Sequence, residues 1–319
     1  MDFGPTLLQL AGIRIPHGVD GRPFLGKDGV TRAGDITYGY ADRFDEKYDL
    51  VRTVRKGQLK YMRSYQPFNM DALQNNYRYR CLAFEQWRDM YHAGELDAIQ
   101  AAFFKAREPE ALYDLSSDPY ETKNLAGDPA YGEQLLELRG LLDGWVKGMP
   151  DLSFYPENYL RNEAFADPVL FGQEHGDDIL ELIRIANLQL LSFEEAKAGL
   201  AQVLDSEDPL ELYWGLIVCS SFGAEASGFE ARVRDLCRHE DLLVRTRAAE
   251  FLGLTGLGDP EAIIEGALHA SEDGVEALLI LNSLVLLKDG HGYSFYLDRD
   301  KLNPEIIENQ EVLRRLDYI

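Results

Sequence analysis

The three cysteines, Cys81, Cys219 and Cys237, are the first residues to consider for nucleophilic or metal chemistry, since a thiolate can serve in either. They lie far apart, and none belongs to a Cys-x-x-Cys pair or to a mixed cluster of Cys and His. This spacing disfavours a structural zinc site, and the odd number disfavours a disulfide framework. Cys81 lies in YRYRCLAFEQW and Cys219 in GLIVCSSFG, both apolar segments of helical pattern. We therefore expect buried, unreactive thiols.

The histidines and paired carboxylates do not make up a catalytic set either. His17 and His92 have no neighbour in sequence that suggests acid–base work, so we expect both at a surface or an interface. The pair Asp177-Asp178 stands where a helix is predicted to begin, and carboxylates stabilise a helix N-terminus without any metal. The sequence thus predicts no catalytic residue and no metal ligand in this chain.

The overall charge of the chain argues against one large class of partners. Its 319 residues include 55 acidic and 32 basic side chains, which gives a formal net charge of −23. Nucleic-acid binding requires a basic surface to meet phosphate, so we expect no nucleic-acid partner. We expect no membrane-spanning segment, because no apolar run is long enough to cross a bilayer. No signal peptide is predicted, since no basic stretch precedes an apolar core at the N-terminus, and the localisation stays open.

The patterns of the first half predict a small sheet accompanied by helices. PTLLQLAG, residues 5–12, predicts a short helix with Pro5 in its first turn and Gly12 just beyond its end. Alternating patterns predict strands at 35–41, 50–55, 59–65 and 111–115, the middle two joined as a hairpin by a turn at Lys56-Gly57. Helical periodicity predicts two helices between the hairpin and the last strand, and a long helix, AYGEQLLELRGLLDGWVKG, after it. The first half is therefore predicted to be α+β, built on a four-stranded antiparallel sheet.

From about residue 176 the pattern is helical only, and it repeats. Three segments begin at Asp208, Asp241 and Asp273, spaced 33 and 32 residues apart, and the first two end at Gly223 and Gly256. Each segment follows another amphipathic helix. A period in this range made of helix pairs is typical of an α-solenoid, and HEAT-type repeats are the kind it resembles most. An ordinary helical bundle with chance similarity between its helices is the alternative that the pattern leaves open.

Arginines concentrate around the second of these helix pairs, within an otherwise acidic region. The core side of the pair is predicted to consist of apolar residues, so the arginines are predicted to face outward. We interpret them as a candidate docking strip for an acidic partner, with neutralisation by neighbouring Asp and Glu as the alternative. The predicted core residues are Leu236, Leu243, Ala248, Phe251 and Leu252. The docking strip comprises Arg232, Arg234, Arg238, Arg245 and Arg247.

Four segments of the first half, in this order, resemble a known family: DFGPTLLQLAGI, GVDGRPFLG, YDLVRTVRKGQLKYMRSYQP and ALYDLSSDPYETKNLAGDPAY. Together they look like the C-terminal third of formylglycine-dependent sulfatases of the alkaline-phosphatase-like superfamily, similar in style to bacterial arylsulfatases and heparan N-sulfatases. The resemblance covers about residues 2–157. It implies a small sheet and a long helix that pack against a large catalytic domain, whose last part would be residues 1–27. The predicted domains are a sulfatase C-terminal subdomain (1–150), a packed linker (151–175), a HEAT-like α-solenoid (176–290) and a C-terminal tail (291–319).

The chemistry that the resemblance implies needs residues that this sequence does not contain. The family's nucleophile is a Cys or Ser in a C/S-x-P-x-R motif that is oxidised to formylglycine, and a cluster of Asp and Asn binds calcium beside it. The three cysteines here continue as CLAFE, CSSFG and CRHED, so none fits the motif. We therefore expect formylglycine and calcium to belong to a catalytic domain outside this chain. The expected partner is that catalytic domain or a second copy of the chain, and the chain alone is predicted to be inactive.

Two loops, YADRFDEKYD and SYQPFN, correspond to segments with which relatives line the rim of the substrate pocket. They make Asp42, Arg43, Tyr65 and Phe68 the candidate rim residues. The planar fork of an Arg suits sulfate or carboxylate oxygens, whereas a surface ion pair of Arg43 with Asp42, Asp45 or Glu46 is the competing interpretation. Two functions remain as hypotheses. The chain is the C-terminal part of a sulfatase, or it is a helical-repeat module for interaction or oligomerisation.

Overall fold

The first half of the chain folds into an antiparallel sheet of four strands. The strands are β1 (Ile36–Phe44), β2 (Lys47–Lys56), β3 (Leu59–Ser64) and β4 (Glu110–Asp114). Their order in the sheet, β1-β2-β3-β4, follows their order in the chain. The turn between β2 and β3 contains Gly57 at φ 60, a left-handed conformation that a glycine adopts without a steric penalty. The sheet and its hairpin were predicted from the alternating pattern, and both are confirmed.

The structure, a computed structural model, describes residues 2–26 and 36–319. Most of the described residues outside the sheet lie in helices. The α-helices are α1 (Phe3–Leu10), α2 (Leu82–His92), α3 (Ala98–Ala102), α4 (Gly132–Gly148), α5 (Glu157–Tyr159), α6 (Pro168–Glu174), α7 (Gly176–Ala186), α8 (Phe193–Leu204), α9 (Pro209–Phe222), α10 (Glu230–Leu236), α11 (Leu242–Thr255), α12 (Glu261–Ala270), α13 (Gly274–His291), α14 (Pro304–Ile307) and α15 (Gln310–Tyr318). Within the described ranges, no helix has the length and apolarity needed to cross a bilayer.

The chain divides into two compact units, each assembled from separate segments. The first takes in Met1–Gly39, Thr53–Met62 and Ala111–Leu142. The second takes in Tyr40–Arg52, Arg63–Glu110 and Asp143–Ile319. Residues 40–52 and 63–110, which we predicted within the first domain, thus belong to the same unit as the helical half.

In the first unit, helix α1 carries large apolar side chains that are open to solvent. Phe3 is 74% exposed, Leu7 64% and Leu10 45%. The helix ends as predicted, with Gly12 at φ 72 just beyond it. In α4 the predicted apolar stripe is confirmed in Leu135, Leu138 and Leu142, which are buried. The first unit therefore combines a packed long helix with an exposed apolar face on the short one.

In the second unit, the predicted repeat segments are the helices α9, α11 and α13. Each starts at the predicted aspartate, since Asp208, Asp241 and Asp273 accept hydrogen bonds from backbone N–H groups of the first turn. α9 packs against α11 and α11 against α13, while α8, α10 and α12 pack against the helices that follow them. The three capped helices are apolar around most of their circumference, which is the pattern of helices buried on every side.

The cysteines and the C-terminal segment of this unit differ in part from what the sequence predicted. Cys81 was expected to be buried, but it is exposed, because it precedes α2 in an extended conformation instead of lying on an apolar helix face. Cys219 is buried as expected. The predicted C-terminal tail contains α14 and α15, and Arg315 of α15 is fully buried, where it donates to the carbonyl oxygen of Glu46 at 2.8 Å.

Candidate functional site

The two rim candidates at the end of β1, Asp42 and Arg43, line a cavity of about 230 Å³ in the second unit. The cavity is bounded by the end of β1, by β2, by Gln66, by the segment 153–160, and by the helices α9, α11 and α13. Its polar lining consists of Asp42, Arg43, Tyr48, Asp49, Gln66, Ser153, Glu157 and Arg247, and its apolar lining includes Leu50, Phe154, Tyr155, Leu160, Tyr213, Trp214 and Leu279. Residues from seven parts of the chain thus meet around one space.

The other two rim candidates, Tyr65 and Phe68, do not line this cavity and are buried, at 3% and 9% exposure. The Tyr65 ring packs edge-on against Phe154, with centroids 5.0 Å apart, and the Arg63 guanidinium lies 4.5 Å from its centroid. Large aromatic rings are stabilised by such packing and by removal from water. Both side chains are therefore buried within this chain, and a place for them at a substrate rim stays a prediction.

Arg43 is held between two carboxylates that are distant in sequence. Its Nη1 donates to Glu157 Oε1 at 2.5 Å, its Nη2 donates to Glu311, and its Nε donates to the carbonyl oxygen of Asp45 at 2.7 Å. The guanidinium also lies 5.0 Å from the ring centroid of Tyr48. The expected carboxylate partners Asp42, Asp45 and Glu46 were wrong, because the side chain points to α5 and α15 instead of along its own loop. Burial lowers the pKa of Arg43, but Tyr48, Glu157 and Glu311 raise it, and the net direction is upward.

Asp42 is positioned by a buried arginine on the neighbouring strand. Arg52 donates from Nε and Nη2 to the two carboxylate oxygens of Asp151, at 2.7 and 3.0 Å, and from Nη1 to Asp42. The Ser153 hydroxyl donates to the second Asp42 oxygen at 2.9 Å. Burial lowers the pKa of Arg52, yet the Asp151 and Asp42 carboxylates raise it well above its usual range. Arg52 therefore stays charged and fixes the Asp42 side chain at the cavity wall.

The lining of the cavity also includes Arg247, which we had placed on the outward docking strip. Arg247 is only 4% exposed, and its Nη1 donates to the two Glu250 oxygens at 2.7 and 3.0 Å. Its Nη2 donates to the Tyr213 hydroxyl at 2.9 Å and to Gln66 Oε1 at 3.2 Å. The outward orientation is therefore wrong for Arg247, because Glu250 is buried in the same turn of α11 and compensates its charge.

The rest of the docking strip lies nearer to solvent. Arg234 and Arg238 are exposed, and Arg232 and Arg245 are partly exposed. Arg234 pairs with Glu230, and Arg232 pairs with Asp205. The five residues predicted for the core of this helix pair, from Leu236 to Leu252, are all buried as expected. Arg245 donates to the carbonyl oxygen of His239 at 2.9 Å. Neutralisation by neighbouring carboxylates, the alternative interpretation, thus applies to Arg232 and Arg234, and a docking role for the strip stays a prediction.

Two polar atoms beside the cavity are buried and make no hydrogen bond of standard geometry among residues 2–26 and 36–319. They are the hydroxyl oxygen of Tyr48 and Oε2 of Glu157. Tyr48 is 7% exposed, and its backbone N–H is fixed by Asn282 Oδ1 at 3.1 Å. Burial, and next to it the Glu157 carboxylate, raises the pKa of Tyr48 far above its usual range, so the phenol remains protonated. Part of that effect is a side-chain hydrogen bond between the phenol and the Glu157 carboxylate, so the two groups are neighbours, and neither atom has surface open to the cavity.

Sequence reasoning missed Tyr48, Glu157, Trp214 and the role of Arg247. The one sequence signal near them was the aromatic and proline content of 147–162, which predicted a linker packed on the first domain. One contact of this segment is with a helix of the second half, since Nε1 of Trp214 on α9 donates to the carbonyl oxygen of Phe154 at 2.7 Å. Among the residues that the structure describes, no group of three or more His, Cys, Asp or Glu side chains is suited to hold a metal ion. The calcium that the resemblance implies thus finds no ligand set in the described part of the chain.

Comparison with known proteins relates about half of the chain to sulfatases. An ulvan-active sulfatase of Formosa agariphila is 36% identical over 166 residues, which are 52% of this chain and 28% of the relative. A second ulvan-active sulfatase of the same organism is 26% identical over 158 residues, 47% of this chain and 29% of the relative. No family model matches the chain. The chain spans less than a third of the length of either relative, and the matches support a sulfatase-family relationship.

Proposed function

We propose that this chain is the C-terminal part of a sulfatase, and that it supplies a supporting sheet and a helical module to a separate catalytic domain. The observation that carries the proposal is the identity of 36% with an ulvan-active sulfatase over about half of the chain. The four-stranded antiparallel sheet and the long helix α4 after it agree with the C-terminal subdomain that the sequence resemblance implied. On this proposal, the nucleophile, the formylglycine and the calcium belong to the catalytic domain.

The properties of the three thiols in this chain support the assignment of the nucleophile to the separate catalytic domain. Burial raises the pKa of Cys219 far above its usual range, and it raises the pKa of Cys237 as well. A raised pKa leaves little thiolate at neutral pH, and the thiolate is the reactive form. Cys81 is exposed, but like the other two it lies outside any C/S-x-P-x-R motif. The proposal therefore assigns no catalytic residue to this chain. Asp42 and Arg43 remain the residues of this chain that we propose for contact with substrate.

The helical half completes the proposal. We assign α8–α9, α10–α11 and α12–α13 as three HEAT-like helix pairs. The support is the spacing of 33 and 32 residues between their aspartate caps, together with the packing of α9 on α11 and of α11 on α13. In a solenoid each repeat contacts its neighbours in this way. The pairs then extend the C-terminal part of the enzyme and offer surface for a partner.

The first prediction is that the purified 319-residue chain releases no sulfate from ulvan or from 4-nitrophenyl sulfate, with or without calcium. A longer product that includes the coding region upstream should release it, provided that this region encodes a C/S-x-P-x-R motif. Inorganic sulfate measured by ion chromatography is the readout, and the longer product with its motif Cys or Ser replaced by Ala is the control. Sulfate release by the chain alone that scales with protein and survives repurification contradicts the proposal, as does an upstream region without the motif.

The second candidate function is an interaction module that assembles through its own surface. The observation that favours it is the exposed apolar face of α1, with Phe3 and Leu7 at 74% and 64% exposure. Contiguous exposed apolar residues mark interaction surfaces. The exposed arginines Arg234 and Arg238 offer a second surface for an acidic partner.

This alternative predicts that the chain self-associates through α1. Size-exclusion chromatography with light scattering should show a dimer that Leu7→Asp dissociates, because a charge cannot be buried in an apolar contact without a partner. Leu136→Asp is the matched control, since Leu136 lies on α4 and is 63% exposed, and it should leave the dimer intact. A monomeric wild-type chain at high concentration rejects the alternative.

A further inference from the structure

A second cavity of the second unit, the acidic cavity, is lined by carboxylates from two helices. It has a volume of about 220 Å³ and lies between residues 155–159, helix α7 and the start of α9. Asp178 and Glu181 belong to α7, whereas Asp208 precedes α9 and Glu211 lies in its first turn. Four negative charges around one small space repel one another, and a cation between them relieves that repulsion.

The two carboxylates of α7 have partners within the protein. Arg184 donates from Nε and Nη2 to the two oxygens of Glu181, at 2.8 and 2.6 Å. Nδ1 of His175 lies 2.9 Å from Asp178 Oδ2, so this ring compensates the Asp178 charge when it is protonated. The negative charge on the α7 side is therefore compensated in part.

The two carboxylates of α9 lack such partners. Asp208 Oδ1 accepts from the backbone N–H of Leu210 at 2.8 Å, which caps the helix and leaves the second oxygen over. Neither Asp208 nor Glu211 forms an ion pair within residues 2–26 and 36–319, although Arg184 acts on Glu211 at longer range. The acidic cavity therefore keeps a net negative charge at the start of α9.

A buried hydroxyl without a partner faces this charge. Tyr155 is 3% exposed, and in the described part of the chain its hydroxyl makes no hydrogen bond. Unlike the Tyr48 hydroxyl, this oxygen is not closed off from solvent. Burial, and then Asp178, Tyr159 and Asp208, raises the pKa of Tyr155 far above its usual range, so the phenol stays protonated. Both carboxylates line the acidic cavity, which places the hydroxyl there, and its oxygen can accept from a cationic donor.

The spacing of the polar groups and the apolar lining limit the kind of cation. No group of three or more His, Cys, Asp or Glu side chains among the described residues is suited to a metal ion, so the carboxylates do not converge on one point. An ammonium group has several N–H donors and reaches separate acceptors. Leu182 and Leu210 add apolar surface for methylene groups. A volume below the roughly 300–1,000 Å³ of drug-sized pockets suits a short chain.

We propose that the acidic cavity binds a short aliphatic amine as its ammonium ion, whose N–H groups donate to Tyr155, Asp178 and Asp208. The same chemistry occurs in free amines and in the lysine side chain of a protein. The site consists only of residues of this chain. It goes beyond the proposed function and does not rest on it, because binding needs neither a sulfate group nor a catalytic domain.

Titration calorimetry on the 319-residue chain, in about 0.1 M salt to screen distant charges, tests the proposal. The probes butylamine, N,N,N-trimethylbutylammonium and 1-butanol share an alkyl chain but differ in charge and in N–H groups. We expect butylamine to bind in the millimolar range, and the trimethyl compound at least about fivefold more weakly because it cannot donate. 1-Butanol should not bind. Nα-acetyl-lysine amide separates the two sources: tighter binding than butylamine indicates a lysine side chain, and weaker binding indicates a free amine.

Two variants locate the ammonium group. Tyr155→Phe keeps the ring and should weaken butylamine by about tenfold, the effect of one hydrogen bond from a charged donor. Its unfolding midpoint should not fall, because the hydroxyl has no partner to lose. Asp208→Asn keeps the helix cap but removes a charge, and should weaken butylamine by about threefold. Glu207→Gln is the matched control: Glu207 is exposed and outside the acidic cavity, so the same change of charge should alter binding by less than about twofold.

Four results overturn the proposal. Butylamine does not bind up to about 50 mM, far above the millimolar range expected. Either 1-butanol or the trimethyl compound binds at least as tightly as butylamine. Glu207→Gln weakens butylamine as much as Asp208→Asn, which would mean a diffuse attraction to the acidic surface. Tyr155→Phe leaves the affinity unchanged or lowers the unfolding midpoint, which would make the hydroxyl irrelevant or structural.

Discussion

Replacement of Arg247 by Met is expected to lower the free energy of unfolding by about 3–5 kcal/mol, the effect of leaving one member of a buried ion pair without its partner. Arg247 is 4% exposed and Glu250 is fully buried, so water cannot take over the role of the guanidinium. Methionine has a similar length and can occupy the same space, which separates loss of charge from loss of volume. The Tyr213 hydroxyl and Gln66 lose a donor in the same substitution. Urea-induced unfolding followed by circular dichroism measures the change.

Arg238→Met is the matched control for this prediction. Arg238 belongs to the same docking strip but is exposed, and surface substitutions change stability by no more than about 0.5 kcal/mol. The double variant Arg247→Met/Glu250→Leu should recover most of the loss, because a buried ion pair replaced by apolar residues is often no less stable. A loss below about 1 kcal/mol for Arg247→Met, the size of a typical surface effect, would mean that the pair is solvated.

Arg52→Met is expected to have a similarly large effect, about 3–5 kcal/mol, for the same physical reason. Arg52 is 1% exposed and binds both oxygens of Asp151, which is itself 6% exposed. Without the guanidinium, the Asp151 carboxylate remains buried and unpaired, and Asp42 loses the partner that fixes it at the cavity wall. The free energy of unfolding from urea titration is again the measurement.

Two further variants show whether the buried charge of Asp151 is the cause. Arg52→Met/Asp151→Asn should regain part of the stability, since the amide is neutral and can still accept from the Ser153 N–H. Arg55→Met, three positions along β2 and exposed, should change the free energy by no more than about 0.5 kcal/mol. If Asp151→Asn adds its own loss to that of Arg52→Met, the two residues act independently and the explanation fails.

The two arginines also connect stability with the cavity. Arg52 holds Asp42 in its lining, and Arg247 holds Tyr213 and Gln66. These lining residues are therefore positioned by buried, charge-assisted hydrogen bonds instead of by flexible surface side chains.

Those features of the protein that depend on neighbours in the chain were determined by the sequence alone. Asp208, Asp241 and Asp273 start their helices because an aspartate side chain accepts hydrogen bonds from the N–H groups two or three residues later. The hairpin of β2 and β3 followed from alternation and from Gly57, and the end of α1 near Gly12 from the glycine itself. The sulfatase resemblance also lay in contiguous segments, and it agrees with the relatives found by comparison.

The tertiary structure alone decided which side chains meet around the cavity. Arg43 lies 114 residues from Glu157 and 268 residues from Glu311, and no local pattern relates such positions. Helical periodicity predicted that Arg247 faces solvent. Instead, α11 is enclosed on most sides, and Arg247 forms a buried ion pair with Glu250. Tyr65 and Phe68 looked like loop residues at a rim, and packing buried them. Local hydrogen bonds and propensities act over a few residues, whereas the burial and pairing of charges depend on which elements pack together, and packing is set by the whole chain.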